Sequence, residues 1–105
     1  MATITTIVHF SLPKENMDEL LVVWKQIRDI MLNQPGALDG IFHRTIDDDS
    51  AFQFVNVARW ESAEALENAL KRGNEEGSDL WTLNEKLRRL DVHVSQNNYV
   101  EEAKY

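Results

Sequence analysis

The chain contains no cysteine, which removes disulfides and thiolate metal sites from its chemistry. Proline and glycine are scarce, at two and four residues, and no low-complexity segment or linker interrupts the chain. None of the glycines falls in a G-x-G-x-x-G run, and there is no Ser nucleophile elbow, so the usual nicotinamide and flavin sites and the common hydrolase turn are not expected. Positive charge is also short: 11 Lys and Arg stand against 18 Asp and Glu, for a net charge of −7 and a sequence pI near 4.8. Nucleic-acid binders carry a basic footprint that neutralises phosphates. The one basic cluster, "KLRRL" from Lys86 to Leu90, reads as a solvated helix end where cations are favoured. No apolar run is long enough to span a bilayer. The N-terminal "MATITTIVHFSL" lacks the basic start and unbroken apolar core of a signal peptide. These absences lead to the expectation of a cytoplasmic protein with neither a nucleic-acid nor a membrane partner.

What is present is a globular composition, 43% hydrophobic and 28% charged over 105 residues, which fits one domain spanning 1–105. Thr3 to Leu12 is rich in β-branched residues and predicts a strand, closed by Pro13. Met17, Leu20, Leu21, Trp24, Ile27 and Met31 then recur at helical spacing, and Gln34-Pro35-Gly36 stops the helix. Gly40 to Ile46 and Phe52 to Trp60 read as an antiparallel hairpin around "DDDSA". Ser62 is a plausible N-cap for a helix that Gly73 caps at its other end, and a second helix starts near Ser78 with Leu80, Leu83, Leu87 and Leu90 on one stripe. "DVHVSQNNYV" closes the chain as a strand. The order β-α-β-β-α(α)-β is the α+β, ferredoxin-like plan, an antiparallel sheet with helices on one face.

The third strand has a peculiarity. Val55 and Val57 share one face; Phe52, Phe54, Asn56, Ala58 and Trp60 share the other. Both faces are apolar, although helices cover only one. The uncovered face must therefore meet a ligand or a second sheet, which predicts a homodimer. Asn56 and Trp60, four residues apart, lie about 13 Å apart along the strand, and the sequence reading puts them on the face away from the helices. An amide can hydrogen-bond a phenolate or quinone oxygen, and an indole offers a flat wall and one donor. The residues alone leave a second reading open, in which Trp60 is core and Asn56 bonds nearby backbone.

The segments "QPGALDGIFHRTIDDD" and "FVNVARWES", with the element order, resemble the antibiotic biosynthesis monooxygenase superfamily over nearly the whole chain. The resemblance implies a dimeric α/β barrel that oxidises a small phenolic, quinol or polyketide-like substrate with O₂ and no cofactor. A polyketide-pathway member has a cavity-lining Asn-x-x-x-Trp, which Asn56 and Trp60 match. The Tyr and Arg that accompany the pair there correspond to Leu66 and Leu80. The haem-degrading branch carries a haem-ligating His where Leu70 stands, so haem degradation is not implied. The alternative is a non-catalytic small-ligand-binding or stress-related module on the same fold.

A base near neutral pH would help form the anion that reduces O₂. His9 and His43 are the candidates, and either could also ligate haem; with His93 they show no metal-ligand spacing, and no metal is expected. Phe52 and Phe54 are expected in the substrate pocket or the dimer core. Asp47, Asp48 and Asp49 lack a calcium-loop pattern and read as a solvated turn.

Overall fold

The computed structural model describes residues 2–105. Four strands, β1 (Ile4–Ser11), β2 (Ala37–Arg44), β3 (Phe54–Trp60) and β4 (His93–Tyr99), form one antiparallel sheet in the order β2-β3-β1-β4. Three helices, α1 (Met17–Leu32), α2 (Ala63–Gly73) and α3 (Asp79–Arg89), connect them. The ferredoxin-like order expected from the sequence is the one observed.

Local chemistry fixes the connections. The Ser62 hydroxyl accepts from the Ala65 amide at 3.1 Å and the Ser78 hydroxyl from the Trp81 amide at 3.1 Å, so both later helices begin on a side-chain cap. Gly73 is the last residue of α2 and Asn74 caps it, one position later than expected. The Asn16 amide donates to the Leu90 carbonyl at 3.0 Å, which pins the start of α1 to the end of α3. The hairpin loop runs further than expected: β2 begins at Ala37 and ends at Arg44, and β3 begins at Phe54, so Phe52 lies outside the strand. A register shift between Ala37 and Asp39 bulges β2 and lets Leu38 swing out, half exposed.

Strand register arranges the helix-facing side chains in rows. Phe10 and Phe54 form one row; Val8, Asn56 and Phe42 the next; Thr6, Ala58 and Gly40 the third; Ile4, Trp60 and Ala37 the last. Large residues at the two ends of the sheet make two separate cores. In one, Phe10, Leu12, Leu20 and Phe54 pack with Trp24 and Phe42, whose rings stack at 4.0 Å. In the other, Trp60 packs with Leu66 and Ala69. Asn56 and the small third row lie between them. Full burial of such apolar side chains stabilises by about 1.5–3 kcal/mol each, so each cluster anchors its own end of the helical layer.

The helices therefore cover the face that carries Asn56 and Trp60. This overturns the expectation that the pair faces away from them. Because both faces of β3 are apolar, alternation could not choose between them. The bulk of Phe54 and Trp60 does: these two are 1% and 3% exposed beneath the helices, while Val55 and Val57 are only partly covered.

Gly36, between α1 and β2, has φ +87°, and a Cβ there would lie 2.5 Å from the Ala65 Cβ. Gly77 has φ +86° but open space around it. Gly77→Ala is expected to cost only the left-handed backbone penalty, about 1–2 kcal/mol. Gly36→Ala should cost more, because the overlap adds an overpacking term of about 1–3 kcal/mol. Thermal or urea unfolding of the two variants measures the difference; equal losses would contradict the close packing at Gly36.

Candidate functional site

The gap between the two cores is a cavity of about 220 Å³ under the helical layer. Its floor is Thr6 and Val8 of β1 with Asn56, Ala58 and Trp60 of β3. Trp24, Ile27 and Met31 of α1 close one side, Leu66 and Leu70 of α2 and Leu80, Asn84 and Leu87 of α3 the other, and Val94 and Gln96 of β4 form its outer rim. An apolar cavity of about 150 Å³ already accepts benzene, and this space is larger than that.

The cavity is mostly apolar with a few amides. Gln96 donates to the Thr6 hydroxyl at 3.1 Å, which fixes that pair. Among the described residues the side-chain amides of Asn56 and Asn84 and the indole N–H of Trp60 have no protein partner, and no buried polar atom is left orphaned. These groups therefore keep accessible surface, and all three residues line the cavity. An amide sealed away without a partner costs about 1–3 kcal/mol; one that faces a cavity can be satisfied by water or by a ligand oxygen. Among the described residues Asn56 has no side-chain hydrogen bond to nearby backbone, while Trp60 packs in a core with Leu66 and Ala69, as the second reading of the sequence had it.

No histidine and no carboxylate lines the cavity. His9 and His43 flank Val55 on the bare face of the sheet, where Phe52 packs its ring 4.9 Å from that of His9. His93 pairs with Ser11 on that same face. The structure thus brings Asn56 and Trp60 together and separates them from His9, His43 and Phe52. Phe54, at 1% exposure, stacks on Phe42 at 5.0 Å and fills the core beside the cavity rather than lining it. Asn84, Gln96 and Thr6 also line the cavity, and the sequence pattern did not single them out. Asn84 carried a signal: it interrupts the Leu80, Leu83, Leu87 stripe at helical spacing, a polar residue on an inward face. Leu66, Leu70 and Leu80, singled out as the positions of a Tyr, a His and an Arg in similar proteins, all lie in the wall.

One charged pair stands close by. Arg59 grips Asp39 through Nε–Oδ1 at 2.8 Å and Nη2–Oδ2 at 2.5 Å. The hydrogen bond from Arg59 holds the Asp39 carboxyl below its ordinary pKa, and Asp39 in turn raises that of Arg59.

Filling the small row should close the site. Ala58→Leu is expected to abolish binding of 1-naphthol followed by quenching of Trp24 and Trp60 fluorescence. Unchanged quenching would mean that the ring binds elsewhere.

Comparison with known proteins agrees with this architecture. No curated protein matches the chain. Among solved structures, a cofactor-independent oxygenase from Streptomyces nogalater, SnoaB, superposes with TM-score 0.79 at 19% identity, covering 99% of this chain and 97% of that one. A protein from Shewanella loihica PV-4 assigned provisionally as a monooxygenase gives TM-score 0.77 at 24% identity, with 98% and 97% covered. A conserved protein from Methanosarcina mazei Go1 gives 0.77 at 16% identity, with 97% and 95% covered. Identities this low carry the fold alone. The family itself rests on a sequence model described as antibiotic biosynthesis monooxygenase, which matches residues 3–74; this chain belongs to that family.

Proposed function

We propose that the protein is a monooxygenase that oxidises a small phenolic or quinol substrate with O₂, without metal or organic cofactor, and works as a homodimer. The observation that carries the reading is the unpartnered Asn56 amide on the floor of an aromatic-sized cavity walled by Trp24 and Trp60. Membership of the family and the likeness in fold to a cofactor-independent oxygenase support it.

The chemistry balances without a reductant. A naphtholate gives one electron to O₂, the resulting radical and superoxide join at the carbon para to the oxygen, and the hydroperoxide loses water. For 1-naphthol the sum is C₁₀H₈O + O₂ → C₁₀H₆O₂ + H₂O. One oxygen atom enters the ring as a carbonyl, the other leaves as water, and the substrate supplies all four electrons. The role of Asn56 is to donate to the substrate oxygen and hold negative charge there; Trp60 walls the ring.

With no imidazole or carboxylate in the cavity wall, the base expected in His9 or His43 gives way to a different arrangement. The substrate's own acidity supplies the anion, and the cavity amides stabilise it. Purified protein should consume O₂ with 1-naphthol, and Asn56→Ala should lower kcat about 10- to 100-fold, the worth of a hydrogen bond to a charged group. The rising limb of the pH–rate profile should track the ionisation of the phenol, about 10 for an unsubstituted ring, and move down with a more acidic one. Equal rates for wild type and Asn56→Ala would remove the assigned role. A limb fixed near the histidine value of about 6.5 for every substrate would restore an enzyme base.

The leucines at 66, 70 and 80 make the wall plainer than a polar catalytic site. They favour a second reading, a non-catalytic small-ligand-binding or stress-related module; tight 1-naphthol binding with no O₂ uptake would decide for it.

The homodimer draws its support from the bare sheet face. Ile7, Val57 and Ile41 lie side by side across three strands there, and Ile41 is 64% exposed. A second copy of that face would cover them. Light scattering should give a dimer mass at micromolar concentration and a monomer for Ile41→Asp. A monomeric wild type would contradict this part of the reading.

A further inference from the structure

The space beneath α1 continues past Ala58. A second opening of about 100 Å³ lies at the β2 edge of the sheet, between the C-terminal half of α1 and the bulged start of β2. It shares Trp24, Ile27, Met31, Asn56, Ala58 and Trp60 with the main cavity. The two spaces therefore adjoin across these shared side chains. Their chemistry differs. The end under α3 and β4 presents amides and no charged side chain, whereas Arg28, Asp39 and Arg59 are among the residues at the β2 end, the last two with their side chains toward the other face of the sheet.

The three charges are not equivalent. Arg59 and Asp39 hold each other through two hydrogen bonds, and each neutralises the other. Arg28 pairs with Asp29, its neighbour in the chain, through contacts of 3.1 Å. Asp29 does not line the opening, and an exposed pair of this kind is worth little. The Arg28 guanidinium carbon lies 5.8 Å from the centre of the Trp24 ring. The cation thus rests on a side chain that is itself cavity wall, with the mouth in front of it.

We propose that the substrate is an aromatic acid. Its ring lies beneath α1 against Asn56 and Trp60, and its carboxylate sits in the β2-edge mouth, paired with Arg28. The inference rests on the reading of this cavity as the substrate site and adds the chemical class. A carboxylate meets a planar guanidinium through two parallel N–H···O bonds. The overall charge of −7 repels anions in general, and Arg28 is the cation at this mouth whose partner carboxylate, Asp29, does not itself line it. Arg28 is then the residue that selects an acid over a neutral ring of the same shape.

The test compares 4-hydroxy-2-naphthoate with its neutral carboxamide by tryptophan fluorescence titration. The acid should bind wild type at least about tenfold more tightly, as expected for a hydrogen-bonded ion pair. Arg28→Gln should bring the two affinities together. Arg28→Lys should keep part of the preference, since the charge remains and the fork is lost. Arg88→Gln removes a positive charge from α3, away from this mouth, and should keep the full ratio. Equal affinities in wild type, or a ratio that survives Arg28→Gln, would overturn the proposal. O₂ uptake with the same two compounds separates this idea from the oxygenase reading. Oxidation of both at equal kcat/KM would sink the acid preference alone, and preferred binding of the acid without any oxidation would sink the oxygenase alone.

Discussion

The helices cannot close on the sheet where Thr6, Ala58 and Gly40 lie side by side. Protein interiors pack to the density of organic crystals, and a row of small side chains across three strands leaves too little volume to meet the leucines above it. Larger residues on either side, Phe54 in one core and Trp60 in the other, hold α1 and the α2–α3 pair at a fixed height. The cavity is what remains between these supports. Its shape is thus set by the residues that surround the gap as much as by those that line it, and Asn56 stands at the boundary between the first core and the space.

The two faces of the sheet do different work. The covered face carries Asn56, Trp60 and Gln96, which meet the cavity, and its Arg44 stands over Phe54 in the first core. The bare face carries all three histidines, together with the Ile7, Val57 and Ile41 row. A shift by one residue in any strand would exchange these sets. The hydrogen bond from Gln96 to Thr6 and the bidentate Arg59–Asp39 pair, one toward each sheet edge, help to hold that register.

Much of this was legible in the residues. Periodicity gave the element order, Ser62 and Ser78 announced their helices, and the spacing of Asn56 and Trp60 showed that they share a face. Which face received the helices was not legible, because Val55 and Val57 are as apolar as their neighbours and alternation is symmetric. Alternation put Phe52 on the face of Asn56, but Phe52 precedes β3 and packs on His9 at the bare face. Asn84 and Gln96 escaped for another reason. They meet Asn56 only through the packing of α3 and the pairing of β4 with β1, both of which are long-range contacts. The bulge at Leu38 is a backbone event with no signature in composition, yet it shapes the β2-edge mouth.

The strand β4 is exposed along its whole length and lies at the sheet edge, paired only with β1. The walls of the cavity therefore differ in local free energy. Trp24 and Trp60 belong to elements anchored in the two cores, the kind of packing that opens last. Val94 and Gln96 belong to an edge strand that can fray by itself, as weakly packed segments do in amide hydrogen exchange. Transient loss of a few main-chain hydrogen bonds to β1 would widen the gap on that side without a hinged lid.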